Sequence, residues 1–175
     1  MSDYYDTHPI RIPLVPISLV GFLGSGQDSV GLSVASLTAL PLVDVHRLVE
    51  HEAGASIQRF VFEHGEAEFR RLEKEALRRA LGSTPPGVVV LGHGTLIDEG
   101  NRAEVLSRSA LVYVHYDLEM LRTKIAEDLV RQPGLFFPWI RDEEVSAEDL
   151  ERFYSERRAG YEEATLQVDA TGRAP

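Results

Sequence analysis

No cysteine occurs anywhere in the 175 residues, which removes disulfides, thiolate nucleophiles and cysteine-ligated zinc from consideration. Positive charge is scarce too. Eighteen lysines and arginines stand against 28 aspartates and glutamates, for a formal net charge of -10. A surface so biased repels a phosphodiester backbone, so nucleic acid is not an expected partner. There is no apolar run of membrane-spanning length, and the opening MSDYYDTHP is acidic and aromatic where a signal peptide would be basic and then apolar. The expectation is a cytoplasmic chain without membrane contact. Internal repeats and low-complexity tracts are absent as well. What is present, 43% hydrophobic and 26% charged residues, is the composition of an ordinary globular domain with its own core.

The stretch with most chemical content is ISLVGFLGSGQDSVG, residues 17–31. A short apolar run reads as a buried strand, a glycine-rich turn follows, and a periodic segment then reads as a helix. Successive backbone N–H groups at such a turn form an anion cradle. At the positions where a phosphate-binding loop carries lysine and then a hydroxyl, this chain has Gln27 and Asp28, followed by Ser29.

Further along, residues 14–20, 42–45, 88–92, 110–116 and 166–170 have the short apolar or β-branched pattern of strands, with VVVLG the most strongly β-branched. Helical periodicity covers 29–40, 47–53, 56–63, 66–81, 101–106, 118–130 and 146–164. In 66–81, Phe69, Leu72, Ala76, Leu77 and Ala80 share one face, which leaves Arg70, Glu73, Lys74 and Arg78 around the rest. Strands alternating with helices predict a three-layer α/β/α fold around a five-stranded parallel sheet. Residues 1–13 read as a tail and 14–175 as one domain. The segment 131–144, RQPGLFFPWIRDEE, carries two prolines, a glycine and clustered aromatics, and is expected to be a lid or long loop. Its Leu135, Phe136, Phe137 and Trp139 pack locally or offer a surface to a protein partner.

Six ordered motifs, GFLGSGQDSVG, LVDVHRLVE, GEAEFRRLEKEAL, VVVLGHGTL, the arginine-bearing lid region and ERRAGYEEA with VDATGR, resemble those of shikimate kinase, a P-loop kinase of the nucleoside-monophosphate-kinase type. The resemblance implies that Gly24, Ser25 and Gly26 form the phosphate cradle, with Gln27, Asp28 and Ser29 beside it. It places Arg122 and Arg173 near the adenine and Arg131 as the lid arginine that reaches the transferred phosphate. Asp44 corresponds to the acidic residue on the magnesium and substrate side, and Asp28, Ser29 and Asp44 would surround a magnesium ion. The substrate carboxylate would be clamped by Arg70 and by Arg157, with Arg158 as the fallback for the latter, beside the loop Gly92, His93 and Gly94.

Where the chain departs from that pattern, it does so around the chemistry. Gln27 neutralises nothing, and Asp28 adds a negative charge beside phosphates. His46 stands in place of the aspartate that contacts the reacting hydroxyl, and His93 in place of a glycine. The resulting expectation is a pseudokinase: phosphoryl transfer lost or strongly reduced, no cofactor used, and a small carboxylic acid bound or a regulatory or scaffolding role assumed. The alternative is an active kinase on shikimate or a related hydroxy acid, using ATP and magnesium, with Asp44, His46 and Arg131 as catalytic residues. A third reading groups Asp44, His46 and His93 as a metal or hydrolytic centre. Arg70 also sits four residues after Glu66 and three before Glu73, a spacing that makes ordinary helix-face ion pairs.

Overall fold

The computed structural model describes residues 14–131 and 146–172. Five strands, β1 (Ile17–Gly21), β2 (Leu42–Asp44), β3 (Val88–Val90), β4 (Ala110–His115) and β5 (Leu166–Asp169), form one parallel sheet in the order β2-β3-β1-β4-β5. Helices α1 (Gln27–Thr38), α2 (Val45–Ala53), α3 (Ile57–His64), α4 (Glu66–Leu81), α5 (Glu99–Arg108), α6 (Leu118–Arg131) and α7 (Ala147–Glu162) alternate with the strands. This is the three-layer α/β/α architecture with a central five-stranded parallel sheet.

The sheet's centre is apolar because both faces are covered. Val88 and Val89 are fully buried, and Leu19 and Val20 on β1 nearly so. Residues expected to begin β1 at 14 pair only from Ile17. Pro16 has no N–H to give, and it contributes its carbonyl to Ala110 N instead. β3 ends earlier than expected, at Val90, because the following glycine loop turns into a 3-10 turn, Thr95–Ile97, with Thr95 N donating to Gly92 O. Helix α2 begins two residues before the periodicity suggests, since Asp44 closes β2 and caps the helix by accepting from Arg47 N.

Strand order decides where the site lies. β1 lies between β3 and β4, and β2 lies beyond β3, so the segments leaving β1, β2 and β3 are neighbours at the sheet's carboxyl edge. In an open parallel sheet that edge, where the chain's connections diverge to opposite faces, is where ligands bind. The expected tail 1–13, the lid residues 132–144 including Leu135, Phe136, Phe137 and Trp139, and Arg173 lie outside the described residues. Among the described residues no helix is long and apolar enough to cross a membrane.

Candidate active site

The turn from β1 to α1 keeps the backbone of an anion cradle. Gly24 and Gly26 adopt left-handed φ values of 75° and 70°, a conformation that costs other side chains but not glycine. Alternating such residues with ordinary ones makes a concave run of N–H groups. No side chain caps the first turn of α1 at Gly26, which leaves its N–H groups and positive dipole end to an anion. Gln27 does not reach across this cradle as a lysine would. Its Oε1 accepts a hydrogen bond from Ser25 Oγ at 2.7 Å, so the side chain folds back onto its own loop.

The second wall is a buried carboxylate network. Glu73 was expected on the polar side of α4 and is instead fully buried. Its Oε2 accepts from Arg70 Nη1 at 2.7 Å, and its Oε1 accepts from Thr95 Oγ1 at 2.7 Å and faces His46 Nε2 at 3.3 Å. Burial alone would push the Glu73 carboxyl up. The His46 hydrogen bond, the Arg70 charge and the Thr95 hydroxyl outweigh it and hold the group at about 2, so it is ionised. An ionised carboxylate only accepts, so His46 carries its proton on Nε2 and any proton it takes up goes to Nδ1. Gly92 is required here by space, since a Cβ on it would overlap the His46 ring and stand 2.9 Å from Glu73 Oε1. Arg70 also donates to Glu66 at 3.0 Å, so both helix-face pairings coexist with its place in the network.

Behind the glycine loop stands α7. Tyr161, fully buried and stacked on Tyr113 at 4.9 Å, donates its hydroxyl to the backbone carbonyl of His93, which ties α7 to the glycine loop. One turn earlier, Arg157 is therefore directed inward. Its Nε donates to His93 Nδ1 at 3.2 Å and its Nη1 to Phe153 O at 2.7 Å, and the guanidinium lies 5.0 Å over the Phe153 ring. Arg158, the alternative reading, is exposed and bonds Glu162.

Burial, followed by the positive charge of Arg157, holds the His93 imidazole well below its ordinary range, so it is neutral in the fold. The unfolded imidazole takes a proton below about pH 6.5. The contribution of His93 to stability is thus fully present above about pH 6.5 and is lost as pH falls, with a slope of at most about 1.4 kcal/mol per pH unit. Denaturant unfolding at pH 7.5 and 5.5 is expected to show this loss, and His93→Gln to reduce it.

Between these walls lies a cavity of about 420 Å³. Its lining joins Gly24, Gly26, Gln27, Asp28 and Ser29 from the cradle to Asp44, His46 and His93 from the opposite wall. Arg70 and Arg157 do not line it; they stand one layer behind, against His46 through Glu73 and against His93 directly. Arg122 is half-exposed and pairs with Glu119, and Arg131 is mostly exposed beside Glu127 and Asp128 at the end of α6. Neither lines the cavity. Instead α6 contributes Lys124 and Asp128, and the sequence reading missed Lys124. Its signal was its place beside the apolar stripe of Leu121 and Ile125, since a residue two positions from Arg122 points about 200° away on the helix. Among the described residues no group of three or more His, Asp or Glu side chains could hold a metal ion, so Asp44, His46 and His93 do not make the metal centre considered above. Asp28, Asp44 and Ser29 do bring oxygen donors to one cavity, which suits a magnesium ion carried in on a nucleotide.

Comparison with known proteins agrees with this geometry. The family model described as shikimate kinase matches residues 23–175. The shikimate kinase of Salinibacter ruber is 36% identical over 160 residues, spanning 88% of this chain and 76% of that protein. That of Enterococcus faecalis is 30% identical over 160 residues, 91% of this chain and 90% of its own. Among solved structures, shikimate kinase from Acinetobacter baumannii in complex with shikimate superposes with a TM-score of 0.76 at 25% identity, covering 90% of this chain and 84% of that one. These matches overturn the expectation of a pseudokinase with doubtful ATP binding and no cofactor. That expectation weighed only the side chains of Gln27, Asp28, His46 and His93. The backbone cradle persists around them, and a lysine from another helix stands at its mouth.

Proposed function

The chain belongs to the shikimate kinase family, and on that premise we propose that it is an active kinase transferring the γ-phosphate of ATP to a hydroxyl of shikimate or a closely related hydroxy acid, within one domain of residues 14–175. The observation that carries this reading is the single cavity joining the glycine cradle to Asp44, His46 and His93. In this reading the loop has kept its backbone function and lost its lysine. Gly24, Ser25, Gly26 and the first turn of α1 hold the phosphates, while Asp28, Ser29 and Asp44 would hold a magnesium ion, whose charge would offset that of the phosphates.

The acid lies against His46 and His93. Arg157 and Arg70, cations behind these two rings, supply the positive field that favours a carboxylate there. As the substrate oxygen bonds to the γ-phosphorus, the bond from that phosphorus to the bridging oxygen breaks and ADP leaves. The hydroxyl proton passes to His46 Nδ1. Glu73 fixes the ring's orientation through Nε2 and stabilises the imidazolium that results.

ADP release measured with ATP, magnesium and shikimate tests the proposal. Acid-dependent ADP formation is the expected result. Asp44→Asn is expected to reduce the rate at saturation by about 100-fold or more, in the range for loss of a metal-side carboxylate. Equal ADP release with and without any hydroxy acid would refute the reading.

A further inference from the structure

We propose that Lys124, on α6, supplies the positive charge over the nucleotide's phosphates that the loop itself lacks. The inference rests on the kinase reading above and assigns a residue role within it.

Three observations carry it. Gln27 is turned back onto Ser25 Oγ, so the residue at the lysine position of the loop brings neither charge nor reach. Lys124 lines the same cavity as the cradle, and its Nζ comes within 3.6 Å of the point where a Cβ on Gly26 would stand. The helix that carries it is seated on the loop itself. A Cβ on Gly24 would lie 3.2 Å from Ile125 and 3.8 Å from Leu121, both buried. The lysine stem is therefore based on a packed helix face and not on a free surface. The Tyr116 ring, 5.9 Å from Nζ, flanks it with a polarisable surface.

The charge balance of the cavity needs such a group. Asp28, Asp44 and Asp128 line it, and a triphosphate would add more negative charge. Magnesium offsets part of this. An ammonium is a compact point charge with three donors on a flexible stem, which suits phosphate oxygens. A methyl on Gly26 would already be in van der Waals contact with Nζ.

The test measures equilibrium binding of Mg-ADP, inorganic tripolyphosphate and adenosine by titration calorimetry, which needs no turnover. Lys124→Met is expected to weaken Mg-ADP and tripolyphosphate about 10- to 100-fold and to leave adenosine unchanged. Lys124→Arg is expected to stay within about threefold of the wild type, because it keeps the charge. Gln27→Lys placed in the Lys124→Met chain is expected to recover at least about tenfold, because the charge then comes from the loop. A thermal melt of each variant checks that it folds.

Wild-type tripolyphosphate affinity in Lys124→Met would overturn the inference, and loss of Mg-ADP binding alone would place the lysine on the base and not the phosphates. Unchanged nucleotide binding in Lys124→Met, with wild-type turnover present, defeats the inference and leaves the kinase reading standing. Charge-dependent phosphate binding without turnover does the reverse. A wild-type protein that binds neither Mg-ADP nor tripolyphosphate defeats both.

Discussion

Glu73→Ala is expected to destabilise the protein by about 3 kcal/mol and to lower its melting temperature by about 6–12 °C. The side chain is fully buried, and its removal takes their acceptor from Arg70 Nη1 and from the Thr95 hydroxyl. Removing one partner of a buried ionic network costs more than the network is worth as a whole, because the remaining charge stays desolvated. The pH dependence gives an independent check. Because the folded carboxyl is held at about 2 against an ordinary 4.5, its contribution is fully present above about pH 4.5 and disappears as pH falls through about 2. The difference between wild type and Glu73→Ala should therefore narrow when urea unfolding is repeated near pH 3. A gap independent of pH would mean that the loss is one of packing and not of charge. Turnover should fall as well, since His46 loses the partner that fixes its Nε2 proton.

The second large effect is expected at Arg157. Arg157→Ala should lower kcat/KM for the acid by about 10- to 100-fold, because the positive charge behind the His93 ring and the hydrogen bond that orients that ring are lost together. It should cost less stability than Glu73→Ala, for a physical reason. Burial holds the Arg157 guanidinium below its ordinary range, with Glu156 and Tyr161 compensating only in part, so the fold bears a cost for keeping this cation inside. Arg157→Lys should not restore activity, because the planar fork and the Nε donor to His93 are lost together. Imidazole NMR offers a separate readout: without the Arg157 charge, the His93 titration should move upward. Steady-state kinetics that change by less than about threefold would mean that Arg157 does not act on the acid through His93.

Much of the fold could be read from periodicity alone. α4 was expected over the 16 residues it occupies, because its apolar stripe is regular and Gly65 and Gly82 bracket it. The errors of one to three residues elsewhere came from local chemistry, such as the cap at Asp44 and the missing N–H of Pro16. The site was less legible. Hydrophobic patterning places any glutamate outside, so Glu73 was assigned to solvent; only the arrival of Thr95 from the glycine loop and His46 from α2 makes its burial affordable. Lys124 was passed over for the arginines around it. Motif correspondence favours residue type, whereas the direction of a side chain on α6 depends on how that helix sits on Gly24. Inferring lost activity from four substituted positions failed for a related reason: a loop's charge deficit can be met from elsewhere in space, which no reading of the loop alone reveals.

The most direct measurement of the central claim is transfer of isotopically labelled γ-phosphate from ATP to the acid in a single turnover, with product identified by mass. The account predicts label appearing on the hydroxy acid in step with ADP, dependent on magnesium and abolished in Asp44→Asn. Label that appears only as inorganic phosphate, or remains in ATP although the protein is folded and saturated with both substrates, would contradict it.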